Sequence, residues 1–205
     1  MSIFLVRHGQ TAFNRDGKGL GHADLELTLE GAAQARALGA RFAMCGVRRV
    51  LSSPLRRAAD VARAIAEPHG LRVEEMRSLV ELNVGETEGL EFAEIRRQFP
   101  GFLAAWGGAD GWRTRLPGGE SIADIAVRLE PLVGTLMTES EGDTVVVSHN
   151  FVLRTLLCSL LGLEIGAWRS FQVDLASVTC LTLRNGRIGV AYMNDRCHLS
   201  DLNLA

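Results

Sequence analysis

Two apolar runs in this 205-residue chain end on a histidine. Residues 3–6 lead into Arg7-His8-Gly9, and residues 144–147 lead into Ser148-His149-Asn150. Each run reads as a buried strand, and in open α/β sheets the carboxyl ends of strands form the ligand crevice. Two histidines delivered to one rim could share a site as nucleophile, acid or base. A third short run, residues 50–52, passes through Ser53-Pro54-Leu55 into Arg56-Arg57 at the start of an Ala-rich segment. Arginine in the first turn of a helix opposes the helix dipole, a penalty that an anion held there would reverse. The planar guanidinium fork suits phosphate or carboxylate oxygens. Taken singly, a histidine at a strand end is more often structural, and a surface Arg pair is more often decoration. What raises the chemical reading is that these polar segments converge where such a sheet builds its site.

The surrounding pattern supplies the positioning elements. Thr28 can cap a helix running to about residue 45, with Leu29, Ala32, Ala33, Leu38 and Phe42 near helical spacing. The Ala-rich helix after Pro54 runs to about residue 67, bounded by Pro68. Residues 71–75 suggest a third strand, and residues 90–99 a helix that Pro100-Gly101 ends. Residues 101–119 carry Phe102, Trp106 and Trp112 among Gly, Asp and Pro and read as an irregular insertion or cap. Ser121 caps a helix to about residue 139, residues 152–161 form an apolar helix, and residues 176–184 and 187–193 flank Asn185-Gly186 as a hairpin. Strands alternating with helices predict an α/β fold: a three-layer α/β/α sandwich with a mainly parallel sheet and an antiparallel edge strand. The expectation is a single domain over residues 1–205 with a small insertion at about 100–119.

Composition narrows the function classes. The formal charge is −2, so there is no basic surplus of the kind that neutralises a nucleic-acid backbone. Of the 22 basic residues only Lys18 is not arginine, a bias that codon usage explains unless named positions argue otherwise. No apolar run reaches membrane-spanning length, and residues 3–7 begin without a basic leader, so neither a membrane nor a signal peptide is expected. Cys45, Cys158, Cys180 and Cys197 are widely spaced and form no CxxC, which predicts free thiols in a reducing, cytoplasmic setting. No zinc-type spacing such as HExxH occurs, and no metal is expected.

Leu5-Val6-Arg7-His8-Gly9-Gln10-Thr11-Ala12-Phe13-Asn14 resembles the signature of the histidine phosphatase superfamily, also called the phosphoglycerate-mutase-like family. The resemblance continues in order through residues 21–28, Ser52-Ser53-Pro54-Leu55-Arg56-Arg57-Ala58, Glu81-Leu82-Asn83-Val84-Gly85-Glu86-Thr87-Glu88-Gly89, residues 117–121 and Val146-Val147-Ser148-His149-Asn150. Glu26, Thr87 and Asn150 stand where relatives commonly carry Pro, Trp and Gly.

The resemblance implies a phosphomonoester hydrolase in which His8 is the nucleophile. Arg7, Arg57 and His149 would bind the phosphoryl oxygens, and Glu81 would be general acid and then base. No cofactor is implied. Gln10, Thr11, Asn14, Leu20, Gly21 and Asn150 match substrate-lining positions. Arg113 and Arg115 either bind a second anionic group of the substrate or belong to a solvated loop, and Phe102, Trp106 and Trp112 either roof the pocket or pack the insertion. His22, His69 and His198 read as surface or loop residues, with His198 in a tail like that of some family phosphatases. The implied partner is a small phosphorylated metabolite or inorganic phosphate, on a monomer or homodimer. The alternative is a 2,3-bisphosphoglycerate-dependent phosphoglycerate mutase using the same residues. Only about 30 residues separate Gly89 from Pro117, which favours the phosphatase. A non-catalytic binding protein would be expected to lose one of the core residues, and none is lost. The size and the ending Asn194-Asp195-Arg196-Cys197-His198-Leu199 resemble the small metal-independent phosphoserine and α-ribazole phosphatases.

Overall fold

Alternation within the first strand decides the layering. In β1 (Ser2–Arg7) Ile3 and Leu5 point to one face of the sheet, Phe4 and Val6 to the other, and all four are buried. A strand buried on both faces belongs in the middle of a sheet covered on both sides. The computed structural model describes residues 1–138, 142–200 and 202. It places β1 between a parallel neighbour and an antiparallel one, in the order β3-β2-β4-β1-β5-β6.

The elements follow in chain order. A one-turn α1 (Ala12–Arg15) is capped by Thr11, and α2 (Leu29–Phe42) is capped by Thr28. Then come β2 (Val47–Ser52), α3 (Arg56–Ala66) and the short β3 (Val73–Glu75). The helices α4 (Phe92–Gln98), α5 (Pro100–Gly107) and α6 (Ile122–Thr138) precede β4 (Asp143–Ser148) and α7 (Asn150–Leu160). The hairpin of β5 (Val178–Arg184) and β6 (Arg187–Asp195) closes the sheet. Asn185 and Gly186 both adopt positive φ, 51° and 71°, as a two-residue hairpin turn requires.

Strands β1 to β4 run parallel to their neighbours, and β5 joins β1 antiparallel. One face carries α6 and α7 over Ile3, Leu5, Leu51 and Val146; the other carries α2 and α3 over Phe4, Val6, Val50, Val145 and Val147. This is the expected mainly parallel three-layer sandwich with an antiparallel edge.

The boundaries differ in informative places. The third strand is shorter than residues 71–75. Helix α3 starts at Arg56, so Pro54 lies outside it, and Pro68 falls in a 3₁₀ turn, Glu67–His69, that continues its end. Helix α7 starts at Asn150, two residues before the expected start, because His149 supplies an extended N-cap. Residues 101–119 are not all irregular. Pro100 does end α4, yet it also opens α5, since proline at the first helical position forfeits no hydrogen bond. Ser121 does cap α6, accepting the Asp124 N–H at 3.2 Å. Residue 139, its expected end, lies outside the described residues.

Candidate active site

Strand register brings the two histidines together. In the β1–β4 pairing Arg7 lies opposite Ser148, so His8 and His149 leave neighbouring strands side by side. Their ring centroids are 5.0 Å apart, and both residues are buried. Strand β2 pairs with the other edge of β4, which brings Ser53 and the first turn of α3 to the same rim.

The hydrogen bonds assign the proton positions. His8 Nδ1 lies 2.7 Å from the Gly9 carbonyl, which can only accept, so Nδ1 carries the proton and Nε2 keeps its lone pair. Burial and the Arg57 and Arg7 charges hold His8 well below the usual histidine range, so the ring is neutral. His149 Nε2 is 2.8 Å from Ser53 Oγ, and its buried Nδ1 has no partner. Ser53 Oγ accepts the Leu55 N–H and can donate its own proton to Nε2, the arrangement that places the ring proton on Nδ1. His149 Nδ1 is then an uncommitted N–H donor.

The arginines are held by backbone. Arg57 is fully buried and donates Nη1 to Ala23 O and Nη2 to Gly21 O, both at 2.7 Å. That loop is itself clamped: the Glu88 carboxylate accepts N–H groups from Gly21 at 2.6 Å, His22 at 2.9 Å and Ala23 at 3.2 Å. Gly21 has to be glycine, because a Cβ there would sit 2.6 Å from Leu82 O. Arg7 donates Nη1 to Val173 O at 2.7 Å, and burial lowers its pKa to about 10. The Nε atoms of Arg7 and Arg57 are both buried without a hydrogen-bond partner. Buried guanidinium donors left open at the mouth of two strands call for an oxyanion. The adjacent Arg56 instead faces solvent and pairs with Glu26.

Glu81 completes the cluster. Its Oε1 accepts Leu82 N–H at 2.8 Å and its Oε2 accepts Phe151 N–H at 3.3 Å. Burial raises its pKa, against those two N–H groups and the nearby arginines. Its carbonyl accepts from His22 Nε2 at 2.9 Å and Arg128 Nη2 at 3.3 Å, so His22 is a loop residue with a structural bond. The set therefore offers a neutral ring nitrogen with a free lone pair, two fixed cations, a second buried ring with an open nitrogen and a carboxyl suited to holding a proton.

The sequence matches the histidine phosphatase superfamily (branch 1) over residues 3–196. The chain belongs to that superfamily. Phosphoserine phosphatase 1 of Hydrogenobacter thermophilus is 28% identical over 202 residues, 98% of this chain and 95% of the relative. A mycobacterial glucosyl-3-phosphoglycerate phosphatase solved with VO3 has a TM-score of 0.86 at 32% identity, covering 95% of this chain and 99% of that one. The α-ribazole phosphatase from Shigella flexneri has a TM-score of 0.85 at 27% identity, covering 95% and 96%. The protein is thus a phosphatase of the histidine phosphatase family.

Within this histidine phosphatase the substrate-lining expectations divide. Asn14 lines a cavity of about 320 Å³ with Arg7, and its Oδ1 is taken by Thr11. Asn150 sits at the start of α7 with Oδ1 buried and unpartnered. Gln10, by contrast, spends its amide on Glu30 at 2.8 Å and Thr28 at 2.8 Å. Thr11 is fully buried as the cap of α1, and Gly21 serves Arg57 through its carbonyl. Leu20 is half-buried, beside Gly21. Arg115 does not face the site: it pairs with Asp124 at 2.6 Å on the surface, and Arg113 stacks on Trp112 with 4.0 Å to the ring centroid. Phe102 packs on Trp106, and Trp106 packs on Phe151 and Trp168, with the Phe151 N–H donating to Glu81. His69 bonds the Phe42 carbonyl, and His198 is half-buried against Arg41. Ser53, Glu88, Arg128 and Arg154 were not singled out by the sequence. Among the described residues, no group of three or more His, Cys, Asp or Glu is placed to hold a metal, and no helix is long and apolar enough to cross a membrane.

Burying three histidines uncharged has a stability consequence. His8 and His149 are held well below the usual value and His198 is lowered to about 4, in each case chiefly by burial. Their stability contribution is complete above about pH 6.5, the unfolded value. It is lost as pH falls toward the folded values, because the unfolded chain binds the protons first. Thermal melts are expected to show Tm falling steadily from pH 7 to pH 5, and inorganic phosphate should restore part of the loss. A flat Tm across that range would contradict neutral burial of these rings.

Proposed function

We propose that the protein hydrolyses a small phosphomonoester through a phosphohistidine on His8. The observation that carries this reading is the contact of His8 Nδ1 with the Gly9 carbonyl, which leaves Nε2 unprotonated in a ring that the Arg57 and Arg7 charges help keep neutral, while the Nε donors of both arginines are buried and open. Phosphoryl transfer needs positioning and stabilisation of charge on the oxygens more than covalent assistance. Arg7, Arg57 and the His149 Nδ1–H provide that stabilisation, with Asn14 at the rim.

Nε2 attacks phosphorus in line with the ester oxygen. The P–O bond breaks as Glu81 gives its proton to the departing alkoxide, leaving a P–N bond to His8. Glu81, now a carboxylate, takes a proton from water as the water oxygen attacks phosphorus. The P–N bond breaks, His8 returns to its neutral form, and inorganic phosphate leaves. A buried carboxyl with a raised pKa suits both halves of that cycle. The relatives named for phosphoserine and glucosyl-3-phosphoglycerate point to small phosphorylated metabolites as the substrate class. No metal enters the scheme, because the arginines carry the charge-stabilising role.

The test is to incubate the protein with 3-phosphoglycerate and catalytic 2,3-bisphosphoglycerate in excess EDTA and follow phosphorus signals. Release of inorganic phosphate is expected. Accumulation of the 2-isomer without phosphate would assign the mutase reaction instead, and loss of all turnover in EDTA would overturn the metal-free mechanism.

A further inference from the structure

We propose that Arg154 is a specificity-determining residue that binds a second anionic group of the substrate, a carboxylate or phosphate close to the scissile ester. The inference deepens the phosphomonoesterase reading and rests on it.

Arg154 lies in α7, one turn beyond Asn150, so it shares the helix face that starts at the site. It is half-buried, and its Nε is fully enclosed without a hydrogen-bond partner. Among the described residues no carboxylate forms an ion pair with it. The nearest acids are already committed. Glu81 accepts two backbone N–H groups, and Asp174 accepts from Asn194 at 2.9 Å and from Gln172 at 3.1 Å, with Arg196 at 3.7 Å.

The guanidinium does have an aromatic neighbour. It lies 5.9 Å from the Trp168 ring centroid, and Arg169 covers the same ring at 4.3 Å while donating Nη2 to Trp106 O at 2.6 Å. Its charge is felt by Glu81 and Arg7, and burial lowers its pKa. An arginine kept half out of water beside the proton donor, with open donors and no counter-ion, costs desolvation that a bound anion would repay. Because Glu81 would serve the leaving oxygen, an Arg154 whose charge acts on Glu81 is assigned to the organic part of the ester. A charge there has to belong to the leaving group.

The expected consequence is selectivity between matched esters. The intact protein should prefer 3-phosphoglycerate to glycerol 3-phosphate, or fructose 1,6-bisphosphate to fructose 6-phosphate, and the pair with the larger preference identifies the second anion. In Arg154→Met the kcat/KM ratio within that pair should fall by roughly ten- to a hundredfold, the range for a hydrogen bond to a charged group. Arg154→Lys should restore part of it. Nitrophenyl phosphate, which lacks a second anion, reports the chemistry itself. Turnover of nitrophenyl phosphate with ratios that do not change in Arg154→Met would overturn the role of Arg154 alone. Absence of turnover on every ester would overturn the phosphomonoesterase reading. In that case titration calorimetry of the same ester pairs against both proteins still decides Arg154, since equal affinity ratios would reject it.

Discussion

Replacing His8 by alanine is expected to reduce phosphomonoester turnover by roughly 10⁴-fold or more. His8 is buried and neutral, and among the described residues its ring bonds only through Nδ1 to the adjacent backbone, so no described side chain holds its Nε2. Its neighbour His149 cannot substitute. The His149 Nε2 is committed to Ser53, and the proton that leaves on Nδ1 makes that atom a donor rather than a nucleophile. The arginines and Glu81 remain in place in such a variant, so phosphate and vanadate should still bind. Steady-state assays with nitrophenyl phosphate, paired with a phosphate-binding titration, check both halves. Retained turnover would remove His8 from the chemistry. Lost anion binding would show instead that alanine had collapsed the site.

The second large effect is expected at Glu81. Glu81→Gln should slow hydrolysis of alkyl phosphates by roughly 10²- to 10⁴-fold, the range for general acid catalysis, while costing much less with nitrophenyl phosphate. Nitrophenolate departs without a proton, whereas an alkoxide does not. The same logic sets the pH dependence in the unaltered protein. Burial holds Glu81 above the usual carboxyl range, and activity on alkyl esters should fall as pH rises through that value and the acid ionises. On the acid side His8 stays neutral well below pH 6.5, so its protonation does not limit turnover near neutrality. Equal losses on both leaving groups in Glu81→Gln would argue that the residue only shapes the pocket. Glutamine keeps the volume, and its single amide oxygen can still accept one of the Leu82 and Phe151 N–H groups, so a modest loss of stability rather than gross misfolding is the expected cost.

Much of this site is legible in the residue order because strand ends are legible. Apolar runs that stop at Arg7-His8 and Ser148-His149 announce where the backbone leaves the sheet, and parallel pairing of β1 with β4 does the rest. The arginine at position 57 is distinguishable from Arg56 only through the family resemblance. The structure adds the physical difference, since Arg57 is enclosed by the carbonyls of Gly21 and Ala23 and Arg56 is solvent-exposed. Side chains that act through distant partners leave little local trace. Gln10 turns toward Thr28 and Glu30, and Glu88 reaches back to residues 21–23, contacts that span the loop closure of the fold.

Residues 100–107 were misleading for a different reason. Pro-Gly after a helix reads as a stop, yet the spacing of Phe102 and Trp106, four residues apart, is the helical signal. That same helix brings Trp106 onto Phe151 and Trp168. Arg154 was hidden because an arginine in an apolar helix reads as its solvated side. Only its position one turn from Asn150 indicated the site. The arginine excess in the composition resolves into separate settings: Arg7 and Arg57 at the proposed phosphoryl site, Arg128 bracing the Glu81 backbone, and Arg154 in α7 with its Nε open.

The central claim is that the phosphoryl group passes through His8. Mixing the protein with a rapidly cleaved phosphomonoester, quenching in alkali after a few milliseconds and mapping the phosphorylated peptide tests it most directly. The account predicts an alkali-stable, acid-labile phosphoryl group on the peptide containing His8, formed at least as fast as turnover and absent in His8→Ala. A phosphoryl group on another residue, or phosphate release at full rate with no adduct at His8, would contradict it.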